Sequence, residues 1–148
     1  MRGLSRRAVL ALGVGTAAWA AGGRARATPG EAKEAVAKFT GGKQPEPGRI
    51  AIDLPEIAEN GAAVPLGVTV ESPMTASDRV TDLLVVADGN PNPRVAAFHF
   101  TPMSGRAEIA TRIRLNATEN VIVVARTADG RFFTARKEVK VTIGGCGG

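Results

Sequence analysis

Alternation of apolar and polar residues in the second half of this chain constrains its fold more than any other feature. Across residues 106–115, Ile109, Thr111, Ile113 and Leu115 fall on one face, while Arg112 and Arg114 fall on the other. A strand sends successive side chains to opposite faces, so this stretch reads as a strand with one buried face and one wet face. The same period recurs in residues 49–53 and 66–71, and again at Val139, Val141 and Ile143 against Lys140 and Thr142, and residues 95–101 and 120–127 read as two further strands. Turn signals separate these runs. They are Asn60-Gly61, Asp88-Gly89-Asn90-Pro91-Asn92-Pro93, Pro102-Met103-Ser104-Gly105, and Ala128-Asp129-Gly130, which opens an Asp-Gly hairpin into residues 131–135. One strand departs from the alternation: residues 80–87 contain the unbroken apolar run Leu83-Leu84-Val85-Val86-Ala87, which suits a strand covered on both faces. About seven short strands at regular spacing, with one short helix, predict an all-β fold, an immunoglobulin-like antiparallel β-sandwich over residues 49–143. A small open barrel is the alternative.

Residues 28–48 precede that body. Thr28-Pro29-Gly30-Glu31 has the form of a capping box, with Thr28 as N-cap, Pro29 at the first helical position and Glu31 reaching back. Ala32, Ala35, Val36 and Phe39 follow at helical spacing and Gly41-Gly42 ends the run, so a helix is expected over 29–40. Its apolar stripe is expected to pack on its own domain. Residues 43–48, with Pro45 and Pro47, read as a connector.

The chain of 148 residues carries 19 basic and 14 acidic side chains, a net charge of +5. That surplus sits at one end. Arg2, Arg6, Arg7, Arg24 and Arg26 all fall in the first 27 residues, which hold no acid. The remainder is neutral and has no basic run, which argues against nucleic-acid binding. Within those first residues, the apolar stretch 8–21 follows the early arginines, and Ala25-Arg26-Ala27 fits a small-x-small cleavage site. Residues 1–27 are expected to be a cleaved signal peptide, and Arg6-Arg7 after Ser5 resembles the twin-arginine signal of bacteria. Export by that route gives a periplasmic protein.

Conventional catalytic groups are scarce. His99 is the only histidine, and alternation places it opposite Phe98 and Phe100, near the surface. With one distant cysteine it makes neither a metal site nor a triad, and no cofactor motif or paired carboxylates stand out. The expectation is a protein without catalytic activity, metal or cofactor of its own. Cys146 is different in kind. It is the only cysteine, two residues from the carboxyl terminus, between Gly144-Gly145 and Gly147-Gly148. In an oxidising compartment most cysteines are paired, and this one has no partner in its own chain. Residues 144–148 therefore read as a narrow, flexible arm that carries the thiol roughly 10 Å beyond the last strand. No cation, helix N-terminus or second cysteine adjoins it in sequence, so the thiol is expected near its usual pKa of about 8.5. That suits a carrier whose visiting enzymes supply the activation.

The ending Ile143-Gly144-Gly145-Cys146-Gly147-Gly148 resembles that of the SoxY family, sulfur-carrier subunits of the periplasmic thiosulfate-oxidising (Sox) system. Residues 98–102 and 104–107 are similar to that family too. The resemblance implies covalent attachment of substrate at Cys146, with Gly144, Gly145, Gly147 and Gly148 as the swinging arm. It also implies a heterodimer with SoxZ and transient visits to SoxAX, SoxB and, where present, a sulfane dehydrogenase. Three other readings compete: an interaction module whose cysteine forms an intermolecular disulfide, a carrier that uses its terminal carboxyl as a thiocarboxylate, and an independent enzyme. Export and the absence of a mixed strand-and-helix pattern weigh against the second. Scarcity of histidine and of clustered carboxylates weighs against the third.

Overall fold

A computed structural model describes residues 29–145. The expected signal peptide, its cleavage point and the Thr28 cap lie outside the described residues, as do Cys146, Gly147 and Gly148.

Helix α1 spans Pro29–Thr40, the range its spacing predicts. Nine strands follow: β1 (Glu46–Pro47), β2 (Ile50–Asp53), β3 (Ile57–Asn60), β4 (Val64–Val70), β5 (Val80–Ala87), β6 (Arg94–His99), β7 (Ala107–Ile113), β8 (Glu119–Thr127) and β9 (Phe132–Ile143). They form two layers. The larger sheet has the order β1-β9-β8-β5-β6, with β3 also paired to β9, and the smaller has the order β2-β4-β7. This is the immunoglobulin-like sandwich that the alternation predicts.

The two faces of the larger sheet explain the apolar run in β5. Leu83, Val85 and Ala87 join Val121, Val123 and Ala125 of β8 in the core against Leu66, Val68 and Val70 of β4. Leu84 and Val86 point the other way, under α1, where Ala32 is buried and Ala35, Val36 and Phe39 pack alongside. Removing Leu84 and Val86 from water contributes about 1.5 to 3 kcal/mol each. The helix thus covers its own domain, and Phe39 meets Phe132 of β9 edge to face at 5.9 Å. Alternation also holds at the surface: His99 is exposed while Phe98 and Phe100 pack against the core.

Three details differ from the sequence reading. The stretches 131–135 and 139–143, read as separate strands, merge into one twelve-residue strand, β9, which begins at Phe132 and which neither Gly nor Pro interrupts. The connector 43–48 contains β1, and β3 was not anticipated. Both pair parallel to β9, so the sandwich is not purely antiparallel. Each is short, and together they cover the edge of β9 away from β8, which would otherwise present unpaired N–H and C=O groups.

Candidate functional site

Parallel pairing of β3 with β9 fixes where the chain end emerges. Ile57, Ala58 and Asn60 register with Lys140, Val141 and Ile143. The next residue, Gly61, begins the turn into β4, and Asn60 Oδ1 accepts a hydrogen bond from Ala62 N–H across it. From there the backbone forms a chain of contacts across three segments. Gly61 N–H donates to Ile143 O at 2.8 Å, Leu115 N–H donates to Gly61 O at 2.8 Å, and Gly145 N–H donates to Leu115 O at 3.0 Å.

These contacts demand glycine for a reason other than freedom. A methyl group on Gly61 would stand 2.1 Å from Leu115 O, and one on Gly144 would stand 2.1 Å from Asn116 O. Neither distance is possible, so both positions need a residue without a side chain because two backbones touch there. Gly145 is buried in the same junction. Gly144 and Gly145, read in the sequence as the near half of a flexible arm, are thus held against residues 61 and 115–116. The hydrogen-bonded root extends to the residue before Cys146.

The segment that holds this root is itself held from below. Glu119, at the start of β8, is 3% exposed. Its Oε1 accepts from Asn116 N–H at 3.0 Å and its Oε2 accepts from Gly89 N–H at 2.7 Å. Asn90, also buried, accepts from Asn116 N–H through Oδ1 at 3.0 Å and donates from Nδ2 to Arg114 O at 2.7 Å. Burial pushes the Glu119 carboxyl above its ordinary pKa, the N–H groups of Gly89, Asn116 and Ala117 oppose that rise, and neighbouring Asp88 reinforces it. Thr118 Oγ1 accepts from Val141 N–H at 3.0 Å, tying the same turn to β9. The β5–β6 loop therefore supports the β7–β8 turn, which grips the root of the tail.

Sequence reasoning found Gly144 and Gly145 and missed Gly61, Asn90, Asn116 and Glu119. One signal was present for Glu119. The inward phase of β8 runs through Val121, Val123 and Ala125, and one step back it lands on this carboxylate; a buried acid requires donors. His99 lies elsewhere, with Nδ1 2.5 Å from Asp82 Oδ1 and its side chain 81% exposed. Among the described residues no group of three or more His, Cys, Asp or Glu is placed to hold a metal ion. Nor is any helix there long and apolar enough to cross a membrane.

Comparison with known proteins gives a family match and several structural matches. Residues 36–146 match the family model described as sulfur oxidation protein SoxY. The structure matches the sulfur carrier protein SoxY from Chlorobium limicola f thiosulfatophilum with a TM-score of 0.64 and 35% identity, covering 78% of this chain and 100% of that one. It also matches superoxide reductase (neelaredoxin) from Ignicoccus hospitalis, with a TM-score of 0.57 and 17% identity over 64% of this chain and 80% of that one. A putative superoxide reductase from Thermotoga maritima matches with a TM-score of 0.54 and 18% identity over 70% of this chain and 89% of that one. Those last two likenesses show a shared fold and no more. No curated protein sequence matches the chain. A family match that runs from α1 to residue 146, with a solved relative of the same fold, leads to one conclusion: the chain belongs to the SoxY family.

Proposed function

We propose that this chain is a covalent carrier of sulfur intermediates in thiosulfate oxidation, with Cys146 as the attachment site. The observation that carries the reading is the family match, which extends to Cys146 itself. The geometry supports it, because the fold grips residues up to Gly145 and so fixes the point from which the thiol is presented.

In the first step the Cys146 thiolate and the outer sulfur of thiosulfate form an S–S bond, and the two electrons released pass to the haem-containing SoxAX. Water then attacks the sulfonate sulfur. Sulfate and two protons leave, and a persulfide anion stays on Cys146, the step assigned to SoxB. A sulfane dehydrogenase, where the organism has one, oxidises the remaining sulfur. The chain itself supplies a thiol and a place to hold it, not an activating group. A thiol two residues from a chain end can enter clefts closed to a folded surface, and ordering the free residues weakens each docking, which suits passage between enzymes. SoxZ is the stable partner in this reading, and the periplasm, reached by the twin-arginine route, is the compartment.

Cys146→Ser is expected to leave folding and SoxZ binding unchanged and to abolish thiosulfate-dependent turnover in a reconstituted system. Intact mass of the protein from thiosulfate-fed cells should show adducts of sulfur or thiosulfate on Cys146. Normal turnover by the serine variant would refute the carrier role.

A further inference from the structure

The smaller sheet ends on an uncovered edge. Strand β7 pairs with β4 along all seven of its residues and with no other described strand. On β4 the inward residues Val64, Leu66, Val68 and Val70 are buried. On β7 the inward Ile109 and Thr111, which register with Val68 and Leu66, are only half-buried. Other free edges carry a device that discourages pairing. Strand β6 breaks its register with an irregularity between Val85 and Val86 and has Arg94 and His99 at its ends, while β1, β2 and β3 are four residues long or shorter. Strand β7 is longer, regular throughout, and free of Pro and Gly. Such an edge offers a row of backbone N–H and C=O groups to another strand.

The side chains of β7 say which strand fits. Glu108, Ala110 and Arg112 stand exposed on its outer face. Glu108 and Arg112 are about 13 Å apart along the strand, too far to pair with each other. Their neighbours on β4 are the uncharged Thr69 and Pro65. Neither side chain has an ion-pair partner among the described residues. Antiparallel pairing with the β7 of a second copy, centred on Ala110, sets Glu108 opposite Arg112 twice. The same register sets Ile109 opposite Thr111 twice on the inner face and Ala107 opposite Ile113 at each end, so both strands pair along their whole length. Centring on Glu108 instead would oppose two carboxylates, and centring on Ile109 would oppose Arg106 to Arg112.

We propose that two copies of this chain associate through their β7 edges, two-fold about Ala110, into one continuous sheet with three strands from each copy. The contact is isologous: Glu108 of each copy meets Arg112 of the other. Directly opposed unlike charges stabilise a strand pair, and the half-buried Ile109 and Thr111 gain the cover that their own sheet does not give them. One strand pair is a small interface, so the dimer is weak and reversible. Strand β7 runs on to Leu115, whose carbonyl accepts from Gly145 N–H, so the pairing braces the backbone that leads to the root of each tail. Cys146 takes no part, and the proposal stands or falls apart from the carrier reading.

The test uses the chain carrying Cys146→Ser, which excludes disulfide-linked dimers. Sedimentation equilibrium is expected to show a concentration-dependent monomer–dimer equilibrium. Glu108→Arg and Arg112→Glu, each alone, oppose like charges twice and should raise the dimer dissociation constant on the order of ten-fold. The double reversal Glu108→Arg/Arg112→Glu should bring it back near the parent value, which a variant that merely misfolds would not do. In the same background Ala110→Cys should crosslink to its own copy under mild oxidation, whereas Ala51→Cys, exposed on β2, should not. A parent that stays monomeric, single reversals that leave the constant unchanged, or a double reversal no better than the singles would overturn the proposal. So would dissolution of the dimer by SoxZ together with single reversals that weaken SoxZ binding, because the edge would then belong to that partner.

Discussion

Each end of β8 is closed by one carboxylate, and the fold treats the two in opposite ways. Glu119, at the start, is 3% exposed and spends both oxygens on backbone N–H groups of Asn116 and Gly89. Asp129, just past the far end, has a side chain 37% exposed and accepts from Thr127 Oγ1 and Arg131 Nε. One turn supports the root of the tail and the other closes a hairpin remote from it. Water can replace any bond that Asp129 loses, whereas the Glu119 carboxylate is buried and its N–H partners are half-buried, so a bond lost there is replaced less readily. The turn braced by the buried carboxylate therefore holds its geometry against thermal opening, and it is correspondingly intolerant of change.

The largest expected effect comes from adding one carbon to the buried side. Gly61→Ala places a methyl within 2.1 Å of Leu115 O, so the backbone must shift and the hydrogen bonds to Ile143 and Leu115 weaken. A loss of about 3 kcal/mol is expected, at the upper end for overpacking. In the hairpin turn, Gly130 has φ +82° and an open surrounding in which the nearest atom, Lys43 Nζ, is 3.8 Å away. Gly130→Ala there meets only left-handed backbone strain, about 1 kcal/mol. Urea unfolding of both variants reads the difference. If the Gly130 variant proves the weaker of the two, the crowding at the tail root does not govern.

Next comes the carboxylate. Glu119→Ala removes the acceptor of the part-buried Gly89 N–H and leaves the Asn116 N–H with Asn90 Oδ1 alone. About 2 kcal/mol is expected to be lost, with Glu119→Gln costing less because one carbonyl oxygen survives. A structural consequence goes with it. Amide exchange at Gly145 should accelerate in Glu119→Ala, because Leu115 O is held by the turn that Glu119 organises. Unchanged exchange at Gly145 would separate the turn from the tail root.

Most of the sandwich was legible in the sequence because burial imposes its period directly on residue type. Leu83 to Ala87 is the clear case: an unbroken apolar run means two covered faces, and α1 on one side with the β4 face on the other supply them. Strand β3 was not legible, since Ile57-Ala58-Glu59-Asn60 is short and only Ala58 is buried, which leaves no period to read. Its value lies in pairing with β9, a non-local fact. The same limit applied at the tail. Gly144 and Gly145 in the sequence are residues that permit many conformations, and only their neighbours, Gly61 and Asn116, show that they are also residues that permit one close approach. Composition gives the permission, and the tertiary contact decides how it is used.

The smallest effect, and the sharpest test of the contrast, is in the pH dependence. Glu119 lies above its ordinary value of 4.5, first because burial disfavours its charge. Its contribution is therefore complete below that value and is lost as pH rises through the folded pKa. Asp129 is lowered from 3.8 to about 2, first by the Thr127 hydroxyl and then by Arg131. Its contribution is present above 3.8 and is lost as pH falls towards 2. Asp129→Asn should thus change stability little at neutral pH, since its partners are solvated. The difference between the parent and Asp129→Asn should narrow on acidification, whereas that between the parent and Glu119→Gln should move in the parent's favour. Urea midpoints for both pairs between about pH 3 and about pH 8 report the two signs. Differences that run the same way in both pairs would mean that one environment, not two, governs the carboxylates at the ends of β8.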